Sequence, residues 1–102
     1  MDRLPEQEIE AALATLKDWR RDGREVARRY GFASFPEAVA FVNGVAAMAE
    51  ERRHHPFISI DYRHVTLRLT TWNAGGLTAL DFALARQFDG LFEAARAGGD
   101  AP

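Results

Sequence analysis

The chain has 102 residues, 47% of them hydrophobic and 27% charged, as expected for one soluble globular domain over residues 1–102. Its core is predicted over about 5–96, with loose ends at residues 1–4 and 98–102. Thirteen basic against fifteen acidic residues give a net charge of -2, which argues against a nucleic-acid-binding domain. The absence of cysteine excludes a disulfide scaffold, a thiolate metal site and a cysteine nucleophile. The charged N-terminus and the lack of a long apolar run predict a cytoplasmic protein.

The first third of the chain predicts a short helix followed by a β-hairpin. Acidic residues after Pro5 suit the first turn of a helix, and Ile9, Leu13 and Leu16 form one apolar stripe along it. The dipeptide Asp22-Gly23, between stretches that carry aromatic and β-branched residues, predicts the turn of the hairpin. Arginines on both sides of that turn favour a sheet with one face in water.

A longer second helix is predicted in the middle of the chain. Ser34 and Glu37 have the spacing of a capping box, which predicts the start of this helix. Pro56 disfavours helical geometry at the residue before it, so the helix should end near His54. The apolar residues between these points follow the helical period and predict a core-facing side: Ala38, Phe41, Val42, Val45 and Met48.

The last part of the chain predicts a second hairpin and a third helix. Alternating apolar residues predict strands over 58–62 and 65–69, with a turn at Arg63-His64. A loop over 73–76 follows, and the spacing of Thr78 and Asp81 could cap the final helix. Two hairpins separated by helices predict an α+β fold, with a four-stranded antiparallel sheet and three helices on one face.

An acidic residue and two histidines at the end of the second helix are the strongest candidates for chemistry. Glu50 and His54 are four residues apart, so on a helix they share a face and can touch. The helix dipole and a neighbouring carboxylate both favour a protonated imidazole, a suitable group for general acid–base catalysis. Because the helix stops between them, His54 and His55 should point in different directions, one toward proton transfer and one toward a ligand. The alternative is that both histidines simply face solvent.

Other candidates are weaker on spacing alone. A metal site is disfavoured because adjacent histidines do not face each other on a helix and His64, the third histidine, lies at a predicted turn. Trp72 could either stack on a flat heterocycle or anchor an interface. Asp81 is more simply interpreted as a helix-capping carboxylate than as a site residue.

Several segments resemble pterin-4a-carbinolamine dehydratases, and the resemblance covers roughly residues 5–92. The most specific of them are Ala49-Glu50-x-x-x-His54-His55-Pro56 and Gly75-Gly76-Leu77-Thr78-x-x-Asp81. The resemblance implies the same sheet-and-helix fold. It also implies removal of water from 4a-hydroxytetrahydropterin (4a-hydroxytetrahydrobiopterin) to give quinonoid dihydropterin, which recycles the cofactor of aromatic amino acid hydroxylases. This reaction needs neither a metal nor an organic cofactor.

The resemblance also implies roles for individual residues. Among the implied catalytic residues, His54 transfers the proton, His55 is its pterin-contacting partner, and Glu50 orients His54 or tunes its charge. The implied substrate-binding residues are His55, Pro56, Trp72 and Asp81. Many members have a histidine at the position of Trp72, whose indole cannot accept a proton. We therefore expect slower dehydration with substrate binding retained.

A second implication of the resemblance is a non-catalytic role. Members of the family act as dimerisation or assembly partners of other proteins, among them a homeodomain transcription factor and Rubisco, and a role in molybdopterin metabolism is a further alternative. A binding module would need the fold and an adhesive surface, but not the histidines. The family forms dimers or tetramers, so a homo-oligomer is expected, without direct contact to nucleic acid or membrane.

Overall fold

The computed structural model of the chain describes residues 2–99. The helices are α1 (Glu6–Ala14), α2 (Phe35–Arg52) and α3 (Ala79–Gly99), and the strands are β1 (Arg20–Asp22), β2 (Glu25–Gly31), β3 (Phe57–Asp61) and β4 (His64–Leu69). A short 3₁₀ helix, Trp72–Ala74, connects β4 to α3. This order confirms the predicted α+β fold. In the described part of the chain, every helix is too short or too polar to cross a membrane.

The four strands form one antiparallel sheet in the order β1-β2-β4-β3. The register pairs Tyr30 of β2 with Val65 of β4, and Leu67 of β4 with Ile58 of β3. Side chains of paired residues point to the same face of a sheet, so these apolar residues share one face. The alternation predicted for β4 is confirmed, because its Val65, Leu67 and Leu69 are fully buried.

The core lies between this apolar face and the helices. Ile9 of α1, Phe41 of α2 and Phe88 of α3 are all buried in one cluster with the inner residues of β2 and β4. The ring of Tyr30 packs at centroid distances of 4.8 Å from Phe41 and 4.9 Å from Phe92. All three helices therefore cover the same side of the sheet, as predicted.

The capping box of α2 is present, with one bond displaced. Ser34 Oγ accepts from the Glu37 N–H at 3.3 Å, while the Glu37 carboxylate accepts from the N–H of Ala33, at 3.1 Å, and not from that of Ser34. The bond from Ser34 satisfies one of the N–H groups that a helix start leaves without partners, and the bond to Ala33 ties the residue before the cap to the first turn. Ser34 and Glu37 thus fix where α2 begins.

Both hairpin turns lie one residue away from their predicted positions. Asp22 is already paired with Glu25 inside the ladder, so the first hairpin turns at Gly23-Arg24 and not at Asp22-Gly23. The second hairpin turns at Tyr62-Arg63, where Tyr62 has a positive φ of 56°, and His64 is already paired with Asp61 inside the ladder. Alternation fixes the face of each residue but not the turn, which explains the shift by one residue.

Leu4, expected in a loose N-terminus, donates its N–H to the carbonyl of Leu77 at 2.8 Å. Gly98 and Gly99, expected in a loose C-terminus, belong to α3, and residues 100–102 lie outside the described part.

Candidate active site

The C-terminal end of α2 determines where the two histidines point. Arg53 adopts a left-handed conformation, with φ 52° and ψ 40°. The N–H of His54 bonds to the carbonyl of Ala49 at 3.1 Å, across this residue. That is the hydrogen bond of a Schellman motif, which ends a helix and turns the chain away from its axis. The turn carries His54 back toward the body of the protein.

His54 is held by a buried carboxylate on α3. Its Nε2 lies 2.6 Å from Oδ1 of Asp81, which has no exposed surface, and the imidazole itself is only 12% exposed. The other oxygen of Asp81 accepts from Thr71 Oγ at 2.7 Å and from the N–H of Thr78 at 2.8 Å. Three donors on one carboxylate satisfy a charged group that would be costly to bury alone.

The hydrogen bonds around Asp81 are consistent with an ionised carboxylate that accepts all of them. The hydroxyl proton of Thr71 goes to Asp81, so the hydroxyl of Thr78, 2.9 Å away, donates to that of Thr71. Asp81 then acts as the acceptor in every one of its hydrogen bonds, as an ionised carboxylate requires. With Asp81 ionised, His54 donates from Nε2, and Nδ1 is the ring nitrogen left to exchange a proton with a ligand.

The predicted contact between Glu50 and His54 was wrong. Glu50 pairs with Nε2 of His55 instead, and both side chains are mostly exposed, at 77% and 61%. The i, i+4 spacing brings side chains together only while the backbone stays helical, and the left-handed Arg53 ends the helix before His54. The expectation that the two histidines point in different directions is confirmed.

A cavity of about 410 Å³ lies beside the two histidines. Its walls come from the end of α2, the start of β3 and the segment after β4: Arg53, His54, His55, Pro56, Phe57, Thr70, Thr71, Trp72 and Asn73. Of the predicted site residues, Glu50 and Asp81 do not line it and reach it only through His55 and His54. Two other cavities, of about 450 and 490 Å³, contain no histidine. Volume alone therefore does not identify the site, but the imidazoles do.

Asp81 has two functions that sequence spacing could not separate. It accepts from the N–H of Thr78, the bond of a cap at the start of α3, and it also accepts from His54. Thr71 and Phe57 were not predicted as site residues, and only the folded chain brings them to the cavity. Among residues 2–99, no group of three or more His, Cys, Asp or Glu side chains could hold a metal ion.

The fold and the site together define a class of protein: a small α+β domain whose histidine, fixed by a buried carboxylate, is suited to general acid–base chemistry. A family model described as pterin 4 alpha carbinolamine dehydratase matches residues 2–91. A protein of Roseiflexus sp. (strain RS-1), named "Putative pterin-4-alpha-carbinolamine dehydratase", is 52% identical over 85% of this chain and 94% of its own length. One of the same name from Chloroflexus aurantiacus (strain ATCC 29366 / DSM 635 / J-10-fl) is 51% identical over 87% and 96%. The chain belongs to the pterin-4-alpha-carbinolamine dehydratase family.

Solved structures support the same assignment. The crystal structure of a transcriptional coactivator/pterin dehydratase from Brucella melitensis superposes with a TM-score of 0.84 at 35% identity, over 88% of this chain and 98% of that one. A pterin dehydratase-like protein, identified as a RuBisCO assembly factor in the alpha-carboxysome, superposes with a TM-score of 0.64 at 28% identity, over 74% and 89%. The fold is therefore found both in a protein described as a transcriptional coactivator/pterin dehydratase and in one identified as a RuBisCO assembly factor.

Proposed function

We propose that the protein removes water from a 4a-hydroxytetrahydropterin to give the quinonoid dihydropterin. As a hydro-lyase of this kind it would recycle the pterin cofactor spent by aromatic amino acid hydroxylases. The observation that carries the proposal is the His54–Asp81 pair at 2.6 Å beside a cavity of about 410 Å³. The family assignment supplies the substrate class, since the site alone indicates only proton transfer to a small molecule.

The reaction balances with one proton received and one released. Protonation of the hydroxyl on C4a lets it leave as water, and loss of a proton from the adjacent ring nitrogen completes the C=N bond. His54 is our candidate for the proton-transfer residue, because Asp81 fixes its tautomer and leaves Nδ1 for the substrate.

The remaining site residues have supporting roles in this proposal. His55 contacts the pterin from the more exposed side of the cavity, and Glu50 orients His55 rather than His54. Pro56 lines the cavity next to His55. Trp72 supplies a largely exposed indole, 75% accessible, on which a flat ring can stack. Asp81 acts on the substrate only through His54.

The test is spectroscopic turnover of chemically generated 4a-hydroxytetrahydropterin. His54→Ala should lose about 10²–10⁴-fold in kcat/KM, the range for removal of a general acid–base group. His54→Gln should lose a similar factor although its amide can still donate to Asp81, so the loss is not one of folding. His64→Ala is the matched control, because that histidine does not line the cavity. Equal rates for wild type and His54→Ala would contradict the proposal.

Trp72 should limit the rate without preventing binding. An indole stacks on a ring and donates one hydrogen bond but accepts no proton. Trp72→His should therefore raise kcat, while Trp72→Phe, which keeps an aromatic face, should leave it near the wild-type value. If Trp72→His turns over no faster than wild type, the indole is not what limits the reaction.

A second candidate function is that of a protein-assembly module, favoured by the exposed edge strand β3. All five of its residues are exposed, including Ile58 at 38% and Ile60 at 40%, and no strand within residues 2–99 pairs with its outer backbone edge. An exposed edge strand with apolar side chains can pair with a strand of another chain. We propose that the β3 edge forms an interface between copies of this chain, in a homodimer or a homotetramer. Light scattering of wild type and Ile60→Lys tests this, and an unchanged mass would contradict it.

A further inference from the structure

Phe57, the first residue of β3, is unusually exposed for an aromatic residue next to a cavity. Half of its surface, 49%, is accessible to water. In the register it pairs with Arg68, so its side chain lies on the polar face of the sheet, opposite to that of Ile58 and Ile60. The apolar edge formed by the two isoleucines therefore does not explain why Phe57 is exposed. Its ring belongs to the wall of the histidine cavity.

The ring of Phe57 meets the indole of Trp72 almost at a right angle. Their centroids are 6.1 Å apart and their planes are inclined at 82°. This is the edge-to-face arrangement that aromatic pairs favour. We call the two rings the aromatic corner. Trp72 is 75% exposed, so Phe57 is the aromatic neighbour that restrains an indole otherwise surrounded largely by water.

We propose that Phe57 is a substrate-binding residue, which holds Trp72 in place and completes an aromatic corner for a flat heterocycle. This inference rests on the proposed function, because it concerns how the same cavity recognises a pterin. A bicyclic ring stacked on the indole would present one edge to the phenyl group. That edge would have to be uncharged, because no donor or acceptor of Phe57 could replace the water lost from a charged group.

The role is one of binding and not of proton transfer. Neither ring of the corner can accept a proton, and Phe57 makes no hydrogen bond through its side chain. Its removal should therefore weaken binding of substrate and transition state equally, which raises KM and leaves kcat unchanged. A role in folding alone would change neither KM nor the affinity for a pterin.

The experiment compares Phe57→Ala and Phe57→Tyr with Phe35→Ala. Phe35, at the start of α2, is also 49% exposed and does not line this cavity, which makes it a matched control. Calorimetric titration with 7,8-dihydrobiopterin, a stable pterin that is not dehydrated, measures affinity independently of turnover. Phe57→Ala should raise both Kd and KM about two- to tenfold, the worth of one aromatic pair, with kcat unchanged. Phe57→Tyr, which keeps the aromatic ring, should have Kd and KM values near those of wild type, and so should Phe35→Ala.

The outcomes separate this inference from the proposed function. If wild type dehydrates the substrate but Phe57→Ala behaves like Phe35→Ala, the inference is overturned and the function stands. If wild type binds the pterin without turnover, and Phe57→Ala weakens that binding, the inference stands and the catalytic proposal fails. If wild type neither binds nor dehydrates the pterin, both are overturned.

Discussion

Helix α3 carries two aspartates that each collect three hydrogen bonds, yet only one of them belongs to the candidate site. Asp81 accepts from His54, Thr71 and the backbone of Thr78. Asp89, eight residues further along the same helix, accepts at a single oxygen from three side chains of the first hairpin and the segment before it. Its donors are Trp19 Nε1 at 2.9 Å, Arg28 Nη1 at 2.8 Å and Tyr30 Oη at 2.6 Å.

The two carboxylates differ in what their partners can do. An indole, a guanidinium and a phenol do not exchange protons near neutral pH, and none of the residues bound to Asp89 lines the histidine cavity. The guanidinium of Arg28 also lies 4.3 Å from the centre of the Tyr30 ring, so this network ties β2 to α3. Asp81 uses the same arrangement of donors to hold an imidazole at a cavity. A partly buried carboxylate with many donors is thus not by itself a sign of catalysis.

The largest expected effect is a loss of kcat/KM that occurs when Asp81 is replaced but not when Asp89 is replaced. In Asp81→Asn the amide cannot accept from all three donors, so the tautomer of His54 is no longer fixed, and kcat/KM should fall about 10²–10⁴-fold. Asp89→Asn should keep kcat/KM within about threefold of wild type. Each variant should lose about 1–3 kcal/mol of unfolding free energy, measured by urea denaturation, because a buried donor is left without a partner. A comparable loss of activity in Asp89→Asn would show that the two networks are not functionally distinct.

Alkaline pH should weaken the Asp89 network specifically. Burial raises the pKa of Tyr30, and its hydrogen bond to the negative carboxylate of Asp89 raises it further. The folded protein therefore keeps this proton to higher pH than the unfolded chain, whose tyrosines ionise near pH 10. The stabilisation is complete below about pH 10, and the unfolding free energy should decrease above it with a slope approaching about 1.4 kcal/mol per pH unit.

Tyr30→Phe and Tyr62→Phe separate the two tyrosines of the chain. Tyr30→Phe should remove this alkaline slope at a loss of about 1 kcal/mol near neutral pH, the worth of one hydrogen bond. Tyr62 is 68% exposed, so Tyr62→Phe should behave as wild type. An unchanged alkaline slope in Tyr30→Phe would mean that another group dominates it.

The contrast between the two aspartates also marks what the sequence could predict. Local patterns gave the strands, the start of α2 at Ser34 and its end before Pro56, because each depends on neighbours in the chain. The His54–Asp81 bond joins residues 27 positions apart, and only the packing of α2 against α3 brings them together. Spacing alone therefore suggested Glu50, four residues before His54, as its partner.

The left-handed residue at the end of α2 was equally hidden from sequence analysis. That position is usually glycine, because other residues pay a steric cost there, and an arginine gives no signal of it. Arg53→Gly should consequently keep the turn that directs His54 to Asp81. It should leave kcat unchanged and raise the unfolding free energy by about 0.5–1 kcal/mol. A large loss of kcat would instead show that the guanidinium of Arg53, which lines the cavity, takes part in the reaction.

The smallest expected effect concerns the exposed pair of Glu50 and His55. Water surrounds both side chains, so Glu50→Gln should change the unfolding free energy by less than about 0.5 kcal/mol, as is usual for exposed ion pairs. Because Glu50 orients His55 and not His54 in our proposal, kcat should stay within about threefold of wild type and any change should appear in KM. Raising the salt concentration should reproduce the effect of Glu50→Gln in wild type, since exposed pairs are screened and the buried His54–Asp81 pair is not. If Glu50→Gln lowered kcat as far as Asp81→Asn does, the two histidines would have to share the proton transfer, and the distinction between a buried catalytic pair and an exposed binding pair would be wrong.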